Sequence, residues 1–88
     1  MTYRLLYTEK AKKVLSKLDK YTQKLIVKYM RDVEALDEPR YRGKALSANL
    51  RGYWRYRVGD YRIICKIEDE ELIILVIDID HRKKIYKK

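Results

Sequence analysis

The 88-residue chain has a single cysteine, a single proline and a single histidine. With Cys65 alone, no internal disulfide can form; this excludes the disulfide-stapled secreted scaffolds and fits a reducing cytoplasm. Long apolar runs are missing as well. The longest, residues 72–77, falls far short of the roughly 20 residues that a membrane-spanning helix requires. The opening stretch, MTYRLLYTEK, meets charge too early for the apolar core of a signal peptide. A soluble, cytoplasmic protein with no membrane partner is therefore expected. There is no glycine-rich phosphate loop, Cys–His pair, Ser-His-Asp signature or cluster of metal ligands, so the expected chemistry uses neither a metal nor a cofactor. Repeats and low-complexity segments are also lacking. One domain spanning residues 1–88 is all this length can build, and it buries only about 60–65% of the surface its unfolded chain exposes.

Acids are the scarcer charge. Twenty-two Lys and Arg against thirteen Asp and Glu leave a formal charge of +9, which favours a polyanionic partner such as nucleic acid. Spread evenly, such an excess would be a solubilising coat. It is not spread evenly: residues 40–66 hold eight basic residues and one acid, Asp60, and so carry +7 of the +9.

Residues 3–7 read as a strand. Thr8 can cap a following helix, with Glu9 in its first turn and Ala11, Val14, Leu15 and Leu18 at helical spacing. Asp19 caps a second helix, whose stripe is Leu25, Ile26, Tyr29, Met30, Val33 and Leu36. Pro39 ends that pattern. Residues 39–52 show no period and read as a basic loop. The period then becomes two, with strands over 53–58, 61–67 and 72–79. The last is apolar at nearly every position, as an interior strand would be. The order β-α-α-β-β-β predicts an α+β domain, with a helical hairpin packed on a mainly antiparallel four-stranded sheet.

Within this order, LRGYWRYRVGDYRIICKI is a hairpin turning at Gly59-Asp60, yet it carries four arginines and a lysine. A two-residue turn sets Val58 opposite Tyr61, Arg57 opposite Arg62 and Arg55 opposite Ile64. Trp54, Tyr56, Val58, Tyr61, Ile63 and Cys65 then form an apolar face for the helices to cover. The arginines emerge together on the other face. Like charges directly opposed on a sheet are destabilising by a few tenths to about 1 kcal/mol. A purely structural account must supply carboxylates, for which Asp78 or Asp80 on the next strand are candidates. The functional account is that the guanidinium forks receive a phosphate. His81 ends the last strand, beside Arg82 and five residues before Tyr86; a proton-handling side chain near phosphate-binding arginines is what RNA cleavage by a 2′-hydroxyl requires. Trp54 and Tyr53 offer aromatic faces on which bases can stack.

The helical hairpin, then Gly43-Lys44-Ala45-Leu46, YRVGDYRI (Tyr56 to Ile63) and HRKKIY (His81 to Tyr86), resembles the RelE/ParE superfamily of bacterial and archaeal toxins over essentially the whole chain. The resemblance implies a RelE-like fold and a toxin with one of two activities. RelE-like members cleave mRNA in the ribosomal A site. ParE-like members inhibit DNA gyrase without enzymatic activity. A degenerate relative would only bind nucleic acid or its antitoxin. For the ribonuclease branch the resemblance implies that Arg55 and Arg57 are the basic strand pair and Arg62 the phosphate-stabilising arginine. Arg82 would protonate the leaving oxygen, and Tyr86 would orient the nucleotide. Lys44, Arg51, Arg55 and Trp54 are the expected RNA contacts. The family's general base is a lysine where this chain has Arg57, and arginine stays protonated. His81 or Tyr86 would replace it, or the ribosome would complete the site. The implied partners are mRNA, the ribosome and an acidic, partly disordered antitoxin encoded next door. Operator DNA would be bound only through that antitoxin.

Overall fold

A computed structural model describes residues 2–81. Strand β1 (Arg4–Tyr7) leads into helices α1 (Glu9–Ser16) and α2 (Lys20–Glu34), followed by strands β2 (Lys44–Ala45), β3 (Trp54–Val58), β4 (Tyr61–Glu68) and β5 (Ile73–His81). Both expected helix caps form. Thr8 Oγ1 accepts from the Ala11 amide at 3.1 Å, and Asp19 Oδ2 accepts from Thr22 at 3.1 Å, satisfying donors a helix start leaves open. The two bonds from Thr22 also hold the Asp19 carboxyl below its usual range.

The sheet order is β1-β5-β4-β3-β2, with β1 parallel to β5 and the other neighbours antiparallel. It has five strands where four were expected. The addition is β2, inside the segment read as a loop, because two residues are too short to show a period. Gly43, at φ +82, lets this segment lie against the β3 backbone, and the Trp54 indole N–H donates to the Arg42 carbonyl at 2.7 Å. At the opposite edge, Glu34 Oε2 accepts from the Leu5 amide at 2.9 Å and so occupies an outward donor of β1. Blocking an edge in this way discourages further strands from adding.

One face of the sheet meets the helices. Ala11 of α1 and Ile26, Met30 and Val33 of α2 pack on Tyr56, Ile63, Cys65, Ile74, Val76 and Ile79. Leu25, expected in the α2 stripe, instead stays 41% exposed; Ile26, Met30 and Val33 carry the contact. Burial pushes the Cys65 thiol pKa well up, which leaves it unreactive. Among the described residues, no helix is long and apolar enough to cross a membrane.

Tyr56 ties the basic segment to this core. Its buried hydroxyl donates to the Pro39 carbonyl at 2.7 Å, and its ring meets Tyr29 edge-on at 6.1 Å. Tyr56→Phe removes the donor and leaves that carbonyl without it. Chemical denaturation should show a loss of about 1–2 kcal/mol, and an unchanged midpoint would mean the bond contributes nothing net.

Strand β5 carries an irregularity that reorders its end. Ile64 pairs with Asp78 while Cys65 pairs with Val76, so Ile77 is the extra residue of a β-bulge. A strict period of two would put Asp78 and Asp80 on the same face as Val76, towards the helices. The extra residue reverses this, so that Ile79 is buried and both aspartates face away.

Candidate nucleic-acid interface

The hairpin forms in the expected register: Val58 pairs with Tyr61, Arg57 with Arg62, Tyr56 with Ile63, Arg55 with Ile64 and Trp54 with Cys65. Tyr56 and Ile63 are buried under the helices, which turns Arg55, Arg57 and Arg62 to the opposite face. Two rows of side chains cross that face. One runs Lys44–Arg55–Ile64–Asp78, and its neighbour runs Arg57–Arg62–Asp80. Directly opposed side chains in such rows have Cβ atoms about 4.5–5.5 Å apart.

Asp78 is already engaged, by Lys10 Nζ at 3.3 Å and by its own neighbour's amide, Ile79 N, at 2.9 Å. Among the described residues, neither Arg57 nor Arg62 forms an ion pair. The Arg62 Nε is buried without a hydrogen bond, so its stem lies on the sheet. Arg57 is exposed. Where β2 ends, Lys44, Arg55 and Arg57 line an open groove of about 350 Å³ with Gly43 and Tyr29. Arg62 stands one strand further in and is not part of that lining. A larger hollow of about 590 Å³ runs along α2, lined by Lys24, Val27, Lys28 and Arg31 among others, away from the arginine rows.

Other basic residues of the segment are committed elsewhere. Arg40 makes a bidentate pair with Asp69, at 3.0 and 2.9 Å, and a further bond to Glu38 at 3.1 Å. Tyr3 joins the same Asp69 at 2.7 Å, so this cluster fastens the loop after α2 to the β4–β5 turn. Arg40, Tyr3 and their hydrogen bonds hold the Asp69 carboxyl below its usual range. The Arg42 guanidinium lies 5.3 Å from the Tyr29 ring centroid, and Lys66 Nζ is 3.3 Å from Glu68.

Three expected site residues fall elsewhere. Trp54 lies on the helix-covered face with its indole N–H held by Arg42, so it presents no stacking surface to the arginine rows. Arg51 is exposed in the loop before β3 and belongs to neither row. His81 pairs with Tyr61, which packs on the helix side, and their rings meet edge-on at 4.9 Å. The bulge at Ile77 therefore turns His81 away from the arginines and turns Asp80 towards them. Arg82 and Tyr86 lie outside the described residues. From the sequence Asp80 is expected only as a neutralising partner; nothing in the strand pattern reveals the phase change that places it.

A sequence model of the family described as the ParE toxin of the type II toxin–antitoxin system, parDE, matches residues 5–86. Toxin RelG of Mycobacterium tuberculosis is 31% identical over 88 residues, covering 100% of both chains. Among solved structures, the toxin–antitoxin complex RelBE2 of M. tuberculosis matches with a TM-score of 0.83 at 30% identity, over 93% of each chain. The fold is also shared with an E. coli RelE mutant in the free state, with a TM-score of 0.77 at 22% identity over 98% of this chain and 92% of that one. The helical hairpin, the sheet with its arginine-bearing β3–β4 face and the match along the chain converge on one assignment: the protein belongs to the RelE/ParE superfamily of type II toxin–antitoxin toxins.

Proposed function

We propose that this toxin is a ribosome-dependent mRNA endoribonuclease that inhibits translation by cleaving mRNA in the A site. The observation carrying this reading is the Arg57–Arg62 pair, two like charges directly opposed on an open sheet face with no ion-pair partner among the described residues. Opposed like charges weaken a sheet, and an anion held between them would relieve this beyond what Asp80, across from Arg62, supplies. Two guanidinium forks on adjacent strands suit the non-bridging oxygens of one phosphate, whose charge grows as a 2′-oxygen attacks. Lys44 and Arg55, in the next row, extend the positive surface along the backbone of the RNA. In this reading Arg82 and Tyr86 complete the site from beyond His81, and the whole chain acts as a single cytoplasmic toxin domain without a cofactor.

A cognate antitoxin is the expected partner. Relatives of this fold have been solved with RelB bound, from Pyrococcus horikoshii and from Methanococcus jannaschii. An acidic antitoxin segment would neutralise the arginine face, and any operator DNA would be contacted through that antitoxin.

Addition of the purified toxin to a cell-free translation extract should stop synthesis. Primer extension should then map cuts at A-site codons, leaving 2′,3′-cyclic phosphate ends. Continued synthesis on intact mRNA would sink the proposal. The family description by the name ParE, together with arginine in place of a lysine base, supports DNA gyrase as the second target. Loss of supercoiling by purified gyrase, with mRNA left uncut, would select it.

A further inference from the structure

We propose that Asp80 is the general base of this site, a role that rests on the RNA-cleavage reading above. Arg57 and Arg62 stay protonated and cannot accept the 2′-hydroxyl proton. His81 is on the other face of the sheet, beside Tyr61. Two carboxylates share the arginine face on β5, Asp78 and Asp80. Asp78 is held by Lys10 and by the Ile79 amide, while Asp80 makes no ion pair among the described residues and stands directly across from Arg62. Asp80 offsets part of the Arg62 charge from across the strands, yet its carboxylate oxygens are committed to no donor among the described residues. It faces Arg62 in the same row as Arg57, so a phosphate held by the two arginines would lie beside its carboxylate.

In the step assigned here, the Asp80 carboxylate takes the 2′-O–H proton as the 2′-oxygen forms a bond to the adjacent phosphorus. The bond from phosphorus to the 5′-oxygen breaks, and that oxygen takes a proton from solvent. The products are a 2′,3′-cyclic phosphate and a 5′-hydroxyl, and Asp80 then returns its proton to water. The cationic pair stabilises the charge gathering on the phosphoryl oxygens. Charged and titratable groups around Asp80 are Arg62 on β4, Arg57 beyond it on β3, Asp78 and His81 on its own strand, and Lys10 of α1 at Asp78.

The test uses the full chain on ribosomes programmed with a defined mRNA, measuring single-turnover cleavage and ribosome affinity separately. Asp80→Asn should slow cleavage about 10²–10³-fold with affinity unchanged, and Asp80→Glu should restore part of the rate. The rate of Asp80→Asn should rise with pH, by up to about tenfold per pH unit, as hydroxide becomes the base, and so approach the wild-type rate at alkaline pH. Asp80→Ser, equally unable to accept the proton, serves if the amide disturbs folding. Cleavage by Asp80→Asn near the wild-type rate, alongside an inactive Arg62→Ala, would overturn the base assignment and leave the ribonuclease reading standing. Weakened ribosome affinity with an unchanged rate at saturation would overturn it too, making Asp80 a binding residue. Intact mRNA with the wild-type toxin would remove both readings together.

Discussion

Arg62→Ala should lose about 10²–10³-fold in mRNA cleavage while unfolding within about 0.5 kcal/mol of the parent protein. The two readouts separate because Arg62 has two opposite effects. In the complex it supplies a fixed positive charge where phosphoryl charge develops, and water cannot replace it. In the free toxin it stands between Arg57 on one side and Asp80 on the other, so repulsion and attraction partly offset each other. Its removal relieves the repulsion, by a few tenths to about 1 kcal/mol, and gives up the attraction of Asp80 and some packing of the stem on the sheet. The net change in stability is therefore small. Single-turnover cleavage and thermal unfolding of the same preparation decide the matter. Full activity in the variant would mean the phosphate is held elsewhere. A collapse in melting temperature would make Arg62 structural.

Gly43→Ala should destabilise the fold by about 2–4 kcal/mol, the largest effect expected from a single methyl group in this chain. Its new Cβ would press well inside contact distance of the Arg55 carbonyl oxygen, 2.7 Å from Trp54 Nε1 and 2.9 Å from Tyr56 Cδ1. The first neighbour is backbone and cannot swing away. The φ of +82 adds strain for any residue with a side chain. For a domain of this size each 1 kcal/mol corresponds to about 4–8 °C, so the melting temperature should fall by about 8–30 °C. Gly52→Ala is the control: its φ is +97, but nothing lies within 4 Å of the added Cβ, so only the backbone term applies. Equal losses at the two positions would show that the close approach of β2 to β3 contributes nothing. Cleavage should also weaken in Gly43→Ala, because Lys44 is held against Arg55 by that approach.

Much of the arrangement can be read from local chemistry. Thr8 and Asp19 cap their helices as their side chains suggest. The Gly59-Asp60 turn sets every pair of the hairpin, and with it the shared face of Arg55, Arg57 and Arg62. Leu72 to Ile79 reads as interior, and β5 indeed lies between β1 and β4. Strand β2 could not be read because its ladder depends on Gly43 and on the Trp54–Arg42 bond, contacts made across the chain.

Local patterning alone therefore determined the α+β order, the helix starts and the face on which three arginines gather, because caps, turns and a period of two act between near neighbours. Only the tertiary structure decided which side chains of β5 share their face. The bulge at Ile77 lets β5 follow both β4 and the core, and one added residue exchanges the faces of everything after it. By that exchange His81 goes to Tyr61 and Asp80 to Arg62.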